Sequence, residues 1–142
     1  MTFHIEQLAT ADATSITQLT RLVQQLSSAA DEEYSRDAIE SPYNQVLIAR
    51  TDEGTVVGTA TVATIRCLSG RRVHIEDVVV DTAYRNQGIA TILLKEAVEQ
   101  AKQTGARTID MTSRPDRKAA NALYKKLGFV QRDTNVYRYN AN

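Results

Sequence analysis

The sequence predicts a mixed α/β fold, in which a central sheet of six to seven strands is flanked by about four helices. Three strand-like runs between residues 45 and 80 are separated by short turns, which indicates an antiparallel meander. Residues 73–111 then read strand, helix, strand, and this order predicts two parallel strands joined by a helical crossover. Antiparallel and parallel pairing make the sheet mixed, and we expect helices on both of its faces.

The first half of the chain predicts a strand, two helices and the meander. Residues 3–8 alternate between apolar and polar side chains, as a half-buried strand does. Asp12 is a good N-cap for the helix that follows, whose apolar residues recur at helical spacing. A more polar segment at residues 31–40 can form a second helix, which Ser41-Pro42 ends. The meander strands are predicted at residues 45–50, 55–67 and 72–80.

The second half of the chain changes to a helical period. Apolar residues between Ile89 and Ala101 recur every three or four positions, and Gly105 stands where a helix C-terminal cap belongs. Gly128 similarly stops a later helix. The remaining predicted elements are a buried strand at residues 107–111, that later helix at residues 116–127, and two closing strands at residues 129–133 and 136–139.

Composition limits the class of protein. The chain has 142 residues, 42% hydrophobic and 24% charged, which suits one globular domain over residues 1–142. Its 17 basic and 17 acidic residues balance, so it lacks the basic surplus that non-specific nucleic-acid binding needs. The one cysteine, Cys67, cannot form an internal disulfide. No secretory signal or membrane-length apolar run stands out, and we expect a cytoplasmic protein without a nucleic-acid or membrane partner.

The segment that follows the third meander strand carries a candidate anion site. Arg85, Gly88 and Ala90 stand where a strand leads through a loop into a helix. The first helical turn leaves backbone N–H groups unpaired, and the helix dipole adds positive charge there. Gly88 lets the backbone approach an anion such as a pyrophosphate. Taken alone, the pattern is more often an ordinary strand–loop–helix connection.

Other glycine-rich phosphate signatures are absent from the sequence. The chain contains neither G-x-x-x-x-G-K-[ST] nor G-x-G-x-x-G. This disfavours a nucleotide triphosphatase and a dinucleotide-dependent oxidoreductase.

Two longer motifs resemble a known family. Residues 74–81 (HIEDVVVD) followed by residues 84–90 (YRNQGIA) resemble the central motif of the GNAT superfamily of N-acetyltransferases. Residues 121–129 (NALYKKLGF) are similar to that family's second motif. The resemblance spans residues 3–139, and the predicted order of strands and helices agrees with it. It implies the GNAT acyl-CoA N-acyltransferase fold and acetyl-CoA as co-substrate, with no metal.

The resemblance also implies where acetyl-CoA binds. In the family, the strand before the glycine loop separates from its neighbour, and its free backbone groups bind the pantetheine arm. The family tolerates Ala at position 90 in place of Gly. The residues expected to bind the cofactor are therefore Val78, Val79 and Val80 on the strand, Arg85, Asn86, Gln87, Gly88, Ile89, Ala90 and Thr91 at the loop, and Asn121 and Tyr124 in the second motif.

Acetyl transfer to an amine needs a base and an acid. An alkyl ammonium has a pKa of about 10.4, so a base must remove a proton before the nitrogen can attack. The departing thiol resembles that of cysteine, with a pKa of roughly 8.5, and a hydroxyl of similar or higher pKa can protonate it. Tyr124 matches the tyrosine that many family members place beside the CoA sulfur, and we expect it to be the acid. The alternative for Tyr124 is a core aromatic residue.

Glu76 is the first candidate for the base and Asp77 the second. Adjacent residues on a regular strand point to opposite faces, so we expect only one of the two to reach a given pocket. Both carboxylates are equally well explained as substrate-binding or structural residues. His74 shares the face of Glu76 and could relay a proton, although a packing role is the commoner one.

The acceptor is the least determined part of the sequence-based interpretation. Within the family, the motifs resemble glucosamine-6-phosphate N-acetyltransferase-like members, which implies a small-molecule amine as substrate, with an amino sugar phosphate as one candidate. That resemblance also implies a homodimer. A protein or peptide amine is the alternative acceptor, and a non-catalytic acetyl-CoA-binding module is the alternative outside the enzyme class.

Overall fold

The computed structural model describes residues 2–142, and in them it contains five strands, four α-helices and one 3-10 turn at Thr82–Tyr84. The elements in chain order are β1 (Phe3–Gln7), α1 (Ala13–Gln24), α2 (Glu32–Glu40), β2 (Asn44–Thr51), β3 (Val56–Cys67), β4 (Gly70–Val80), α3 (Ile89–Gln103), β5 (Thr108–Asp110) and α4 (Lys118–Lys126).

The strands form one mixed sheet in the order β1-β2-β3-β4-β5. The first four strands pair antiparallel in sequence order, and β5 pairs parallel to β4 across the α3 crossover. This confirms the predicted meander and the predicted strand–helix–strand unit. Within residues 2–142, no helix combines the length and apolarity that crossing a membrane requires.

Helices α1 and α2 cover one face of the sheet. Ile16, Leu19 and Leu22 of α1 belong to a buried cluster that includes Val46 and Ile48 of β2. Burying each such side chain contributes about 1.5–3 kcal/mol relative to leaving it exposed. Asp12 is the N-cap of α1, as predicted, and accepts from Ser15 N at 3.2 Å. Asp31 caps α2 in the same way and accepts from Tyr34 N at 2.7 Å.

Helix α3 covers the opposite face. Its buried stripe of Ile89, Leu93, Leu94 and Ala97 packs on the sheet at Gly58 of β3, beside Ala49 of β2. Ala49 follows Ile48 in the strand and therefore points away from the α1 and α2 face. The expected helices on both faces are confirmed.

We expect Gly58→Ala to destabilise the protein, because α3 lies too close for a methyl group. A Cβ at this position would lie 2.9 Å from Leu93 Cδ1 and 3.1 Å from Ile89 Cγ2. Overpacking a core in this way costs typically about 1–3 kcal/mol, which urea denaturation would measure. In a double-mutant cycle, Leu93→Ala should cost less in the Gly58→Ala protein than in the wild type. Additive effects would contradict the close approach.

Arg50 on β2 joins the sheet to α1. Its guanidinium donates to Glu6 on β1, to Ser15 Oγ at 3.2 Å and to Gly54 O at 3.0 Å. The hydrogen bond from Arg50 is the main cause that lowers the pKa of Glu6. The lowered pKa means that the folded state favours the ionised carboxylate.

A lowered carboxyl pKa predicts a specific loss of stability in acid. The Glu6–Arg50 pair stabilises the fold above the unfolded pKa of about 4.3, and this contribution is lost as the pH falls through the lowered folded pKa. We expect Glu6→Gln to reduce the free energy of unfolding at pH 7 by up to about 1 kcal/mol, and the difference from wild type to shrink in acid. Glu53→Gln, at an exposed turn, is the control. A difference that stays constant with pH would contradict the assignment.

The strand count of six to seven was wrong, because the two closing strands do not form. Residues 129–142 have neither helical nor strand structure. Strand propensity measures how well side chains fit a half-buried pleated surface, and the large side chains of this segment are exposed instead. The strand predicted as buried at residues 107–111 is the shorter β5, which is half-exposed at the sheet edge. The exposed large residues are Val130, Val136, Tyr137 and Tyr139.

The chain divides into two compact units, one ending at Thr112 and the other beginning at Ser113. The first unit contains the whole sheet with α1, α2 and α3. The second contains α4 and the residues that follow it.

Candidate active site

The loop between β4 and α3 has the backbone conformation of an anion site. Asp81 accepts from Ala83 N at 2.9 Å and starts the 3-10 turn. Asn86 and Gly88 then adopt positive φ angles of 64° and 80°. These two left-handed residues turn the chain sharply into α3, and Asn and Gly are the residue types that tolerate such angles.

The first turn of α3 presents free donors. Gly88 is the N-cap residue and supplies no side-chain hydrogen bond, and the first turn contains no acidic residue. The first helical hydrogen bond runs from Ile92 N to Gly88 O at 3.2 Å. The N–H groups of Ile89, Ala90 and Thr91 therefore precede the helical ladder and are available to an anion. Loop residues 85–88 are exposed, so such an anion can reach them from solvent.

Strand β4 separates from β5 next to this loop. The parallel pairing runs from Arg72↔Thr108 to His74↔Asp110 and stops there. Beyond His74, β4 continues to Val80, and within residues 2–142 no strand pairs with that edge. The outward backbone groups of Val78 and Val80 thus lie on an open strand edge, which is the feature that the family resemblance implied. Those of Val79 alternate toward β3, as Asp81 N does in its bond to Val57 O. A side chain reaches back to this edge as well, since Arg85 Nε donates to Val80 O at 3.3 Å.

A β-bulge interrupts β4 at Asp77. The register shifts from Thr59↔Val79 to Thr61↔Glu76, which places two β4 residues opposite Ala60. Asp77 adopts a φ of 53°, a left-handed conformation that aspartate tolerates better than most residues. At this bulge Asp77 lines a cavity on the α1 and α2 face.

Of the two carboxylates, Asp77 lines this cavity and Glu76 does not, although the bulge breaks the regular alternation on which the expectation was based. Directly paired residues share a face, so Glu76 lies on the face of its partner Thr61, which lines the same cavity as Asp77. The Glu76 side chain is itself 55% exposed, and its Oε1 lies 4.0 Å from His74 Nδ1. The sequence-based argument assumed regular alternation, which the extra residue in β4 breaks.

The cavity has a volume of about 200 Å³. Helices α1 and α2, the segment between them and strands β2 to β4 enclose it. Burial raises the pKa of Asp77 above its ordinary value, although the residue as a whole stays exposed at the mouth. The lining residues are Leu19, Val23, Ser27, Ala29, Ala30, Asp31, Tyr34, Ser35, Ala38, Val46, Thr59, Thr61 and Asp77.

The second unit contains Tyr124, on α4. Its side chain is buried, and its ring meets Phe129 edge-on with centroids 6.2 Å apart. Burial raises the pKa of the phenol, and the charge of Arg117 opposes this shift in part. The hydroxyl therefore keeps its proton across the neutral range. This environment suits Tyr124 both as a core aromatic residue and as the general acid.

Asn121 holds the start of α4 in place. Its Nδ2 donates to Arg117 O at 2.8 Å and to Arg114 O at 3.0 Å, with Ser113 Oγ at 3.4 Å. The amide nitrogen is thus used locally, and a cofactor contact by Asn121 would fall to its Oδ1. Among residues 2–142, no group of three or more His, Cys, Asp or Glu side chains comes together as a metal site would require.

Sequence reasoning missed the cavity and the glycine that positions α3. Tyr34 of α2, Thr61 of β3 and Asp77 of β4 line the cavity from three separate elements, so no local pattern connects them. Gly58 lies inside a strand, where an isolated glycine indicates a bulge or a close backbone approach. That signal was present in the sequence. The sequence contains no comparable signal for the bulge at Asp77, because aspartate is common both at strand ends and in loops.

The fold and the site define an α/β domain in which one strand edge of the sheet is open and the helix that follows begins with free N–H groups. Residues 11–129 match the model of the family described as Acetyltransferase (GNAT) family. The chain therefore belongs to the GNAT acetyltransferase family, as the sequence motifs predicted.

Individual relatives share the family but differ in the substrates that their names state. A probable glucosamine 6-phosphate N-acetyltransferase of Oryza sativa is 34% identical over 70 residues, which cover 49% of this chain and 40% of the rice protein. N-alpha-acetyltransferase 30 of Schizosaccharomyces pombe is 41% identical over 59 residues, which cover 42% of this chain and 39% of that protein. The matched region thus spans about two-fifths of the length of either relative.

A solved aminoglycoside N-acetyltransferase in complex with CoA has the same fold. It superposes with a TM-score of 0.82 over 99% of this chain and 96% of that one, at 18% identity. At this level of identity the likeness concerns the fold and not the substrate.

Proposed function

We propose that the protein is an acetyl-CoA-dependent N-acetyltransferase that transfers the acetyl group directly to a primary amine of a small molecule. The observation that carries the proposal is the open edge of β4 beside the free amides of α3, in a chain that belongs to the GNAT family. These are the donors and acceptors that an extended amide-containing arm and a pyrophosphate require.

The cofactor contacts fall on backbone groups. The outward groups of Val78 and Val80 would pair with the pantetheine arm, with Val79 between them, and the amides of residues 86–91 would hold the pyrophosphate. Arg85 adds a positive charge at the start of the loop. Acetyl-CoA supplies the acyl thioester, and the protein residues orient it and handle the protons.

The chemistry requires several proton transfers. The amine nitrogen attacks the thioester carbonyl carbon, an amide C–N bond forms, and the C–S bond breaks to release CoA as thiolate. Glu76 is proposed to take the first ammonium proton, directly or through a water, and Tyr124 to protonate the thiolate. The exposed position of Glu76 lets it return that first proton to solvent. The second nitrogen proton leaves as the amide forms, and it restores the Tyr124 phenol through solvent. The raised pKa of Tyr124 means that the phenol holds its proton at neutral pH until a strong base such as the thiolate forms beside it.

A second candidate acceptor is a protein or peptide amine. The similarity to N-alpha-acetyltransferase 30 of Schizosaccharomyces pombe favours it. A peptide substrate needs an extended groove, whereas the cavity that contains Asp77 measures about 200 Å³. This favours the small-molecule amine.

A homodimer is proposed as the assembly. The resemblance implies it, and the exposed Val136, Tyr137 and Tyr139 offer apolar surface for a second copy.

The proposed function is tested by thiol release from acetyl-CoA in the presence of amino sugars, polyamines, amino acids, simple alkylamines and short peptides. Release that depends on one class of amine, with the acetylated amine identified by mass spectrometry, is the expected result. Binding of acetyl-CoA without thiol release across all of these amines would contradict the acetyltransferase activity and would indicate a non-catalytic acetyl-CoA-binding module. Failure to bind acetyl-CoA would contradict both.

A further inference from the structure

The charge of the cavity on the α1 and α2 face indicates what it binds. Its lining contains two carboxylates, Asp31 and Asp77, and none of its described residues is a Lys, Arg or His. Its walls are otherwise formed largely by aliphatic side chains such as Leu19, Val23 and Val46. A cavity with this composition attracts a cation with an apolar body and repels an anion.

Most polar groups of the lining are already used by the protein. Asp31 accepts from Tyr34 N at 2.7 Å, Thr59 Oγ1 donates to Leu47 O at 2.8 Å, and Ser35 Oγ lies 2.8 Å from Thr20 Oγ1. These groups cannot offer a ligand their full hydrogen-bonding capacity. Asp77 differs from them.

The Asp77 carboxylate has no internal partner. Within residues 2–142, neither a hydrogen bond nor an ion pair reaches it, and desolvation alone perturbs it. Asp77 is partly desolvated but still exposed to water, so a cationic ligand can reach its carboxylate and supply the partner that the protein does not. Asp77 has a left-handed φ of 53° at the bulge, the position at which it lines the cavity.

The position of Asp77 connects the cavity to the cofactor strand. Asp77 directly precedes Val78, the first residue whose backbone is proposed to bind pantetheine. An ammonium group at Asp77 would therefore lie next to the segment of β4 that is proposed to bind pantetheine.

The size of the cavity limits the ligand. About 200 Å³ is below the roughly 300–1,000 Å³ of pockets that bind drug-sized molecules. It equals the volume of about seven waters in liquid, at roughly 30 Å³ each. A compact body of several carbon atoms fits.

We propose that the acetyl acceptor is a compact primary amine with an apolar body and no anionic group, whose ammonium is bound by the Asp77 carboxylate. This inference rests on the proposed function and specifies its substrate class. It disfavours an amino sugar phosphate, because a phosphate near Asp31 and Asp77 meets two carboxylates and no cation.

The test compares acceptors that differ only in an anionic group. The pair 3-methylbutylamine and leucine has the same apolar body and amine, and leucine adds a carboxylate. The pair glucosamine and glucosamine 6-phosphate adds a phosphate in the same way. We expect kcat/KM for 3-methylbutylamine to exceed that for leucine by roughly 100-fold, because like charges brought together in a site cost several kcal/mol. Preference for leucine or for glucosamine 6-phosphate overturns the proposal.

Asp77→Asn tests the anchor itself. It should raise KM for 3-methylbutylamine at least about ten-fold and leave KM for acetyl-CoA the same. It should also reduce the difference in kcat/KM between 3-methylbutylamine and leucine. Asp52→Asn, at an exposed turn, is the matched control and should change neither value. An unchanged KM for 3-methylbutylamine in Asp77→Asn overturns the assignment of Asp77.

Direct binding separates this inference from the proposed function. If no amine causes thiol release, the proposed acetyltransferase activity is contradicted. Calorimetric titration then measures whether the cavity binds 3-methylbutylamine. Binding that Asp77→Asn abolishes and Asp52→Asn retains supports a cationic amine site. No binding to the wild-type protein overturns the inference.

Discussion

Tyr124→Phe is expected to lower kcat on the order of 100-fold or more, with little change in KM for acetyl-CoA. The substitution removes the proton that would go to the departing thiolate, and a positioned general acid contributes typically about 10²–10⁴-fold. The ring stays, so its edge-on contact with Phe129 and its burial are kept. Steady-state kinetics with the best amine from the thiol-release screen would measure the effect.

The separation of kcat from KM distinguishes an acid from a core residue. Loss of packing would lower the melting temperature and raise KM together, whereas loss of an acid leaves both near wild type. Tyr139→Phe removes a phenol hydroxyl from an exposed tyrosine of the same unit, and we expect it to change neither kcat nor KM. Because burial raises the pKa of Tyr124, the wild-type rate should not fall from acid loss at neutral or mildly alkaline pH. An unchanged kcat in Tyr124→Phe would rule out the acid role.

Gly88→Ala is expected to weaken acetyl-CoA binding roughly ten-fold or more. Gly88 has a φ of 80°, which an L side chain adopts only with strain of about 1–2 kcal/mol. No atom lies within 4 Å of the added Cβ, so the effect comes from the backbone and not from a clash inside the protein. Relaxation of φ would turn the amides of Ile89 and Ala90 away from the pyrophosphate. Calorimetric titration with acetyl-CoA would measure the affinity.

Gly54→Ala is a matched control for Gly88→Ala. Gly54 has a φ of 89° in the β2–β3 turn and likewise has open space around its Cα. The two variants should lose similar thermal stability, since the backbone strain is the same in kind. Only Gly88→Ala should lose acetyl-CoA affinity. Equal affinities in the two variants would place the pyrophosphate away from the α3 amides.

The two substitutions examine different kinds of chemistry in one proposed reaction. The loop acts through backbone groups whose direction depends on two positive φ angles, at Asn86 and Gly88. The proton transfers depend on side chains whose environment sets their pKa values. A variant that loses acetyl-CoA affinity, as expected for Gly88→Ala, cannot present the thioester. A variant that loses only the acid, as expected for Tyr124→Phe, presents the thioester but does not protonate the thiolate.

Much of the fold followed from local patterns. The caps at Asp12 and Asp31 and the turn at Gly105 appear where the sequence predicted helix ends, because capping depends on a few neighbouring residues. The meander followed from strand runs joined by short turns, and the crossover from a helix between two strands. The loop at Arg85 to Ala90 was found as a motif, since a helix start carries its own donors.

The errors arose where a distant neighbour decides the outcome. The segment around Val136 and Tyr139 has strand-forming residues but no strand beside it, so its side chains remain exposed. A strand needs a partner, and propensity does not say whether one is present. The same limit explains why the cavity was not predicted, because its walls come from elements up to 58 residues apart, from Leu19 to Asp77.

The sequence by itself predicted the mixed sheet, the family and the glycine loop that leads into α3, because each leaves a pattern among neighbouring residues. Tertiary structure alone decided which carboxylate enters the cavity. The bulge opposite Ala60 gives β4 one extra residue, and at this bulge Asp77 lines the cavity, whereas Glu76 does not. Strand alternation is a local rule, but a bulge is a property of two paired strands, and only their register shows where the alternation breaks.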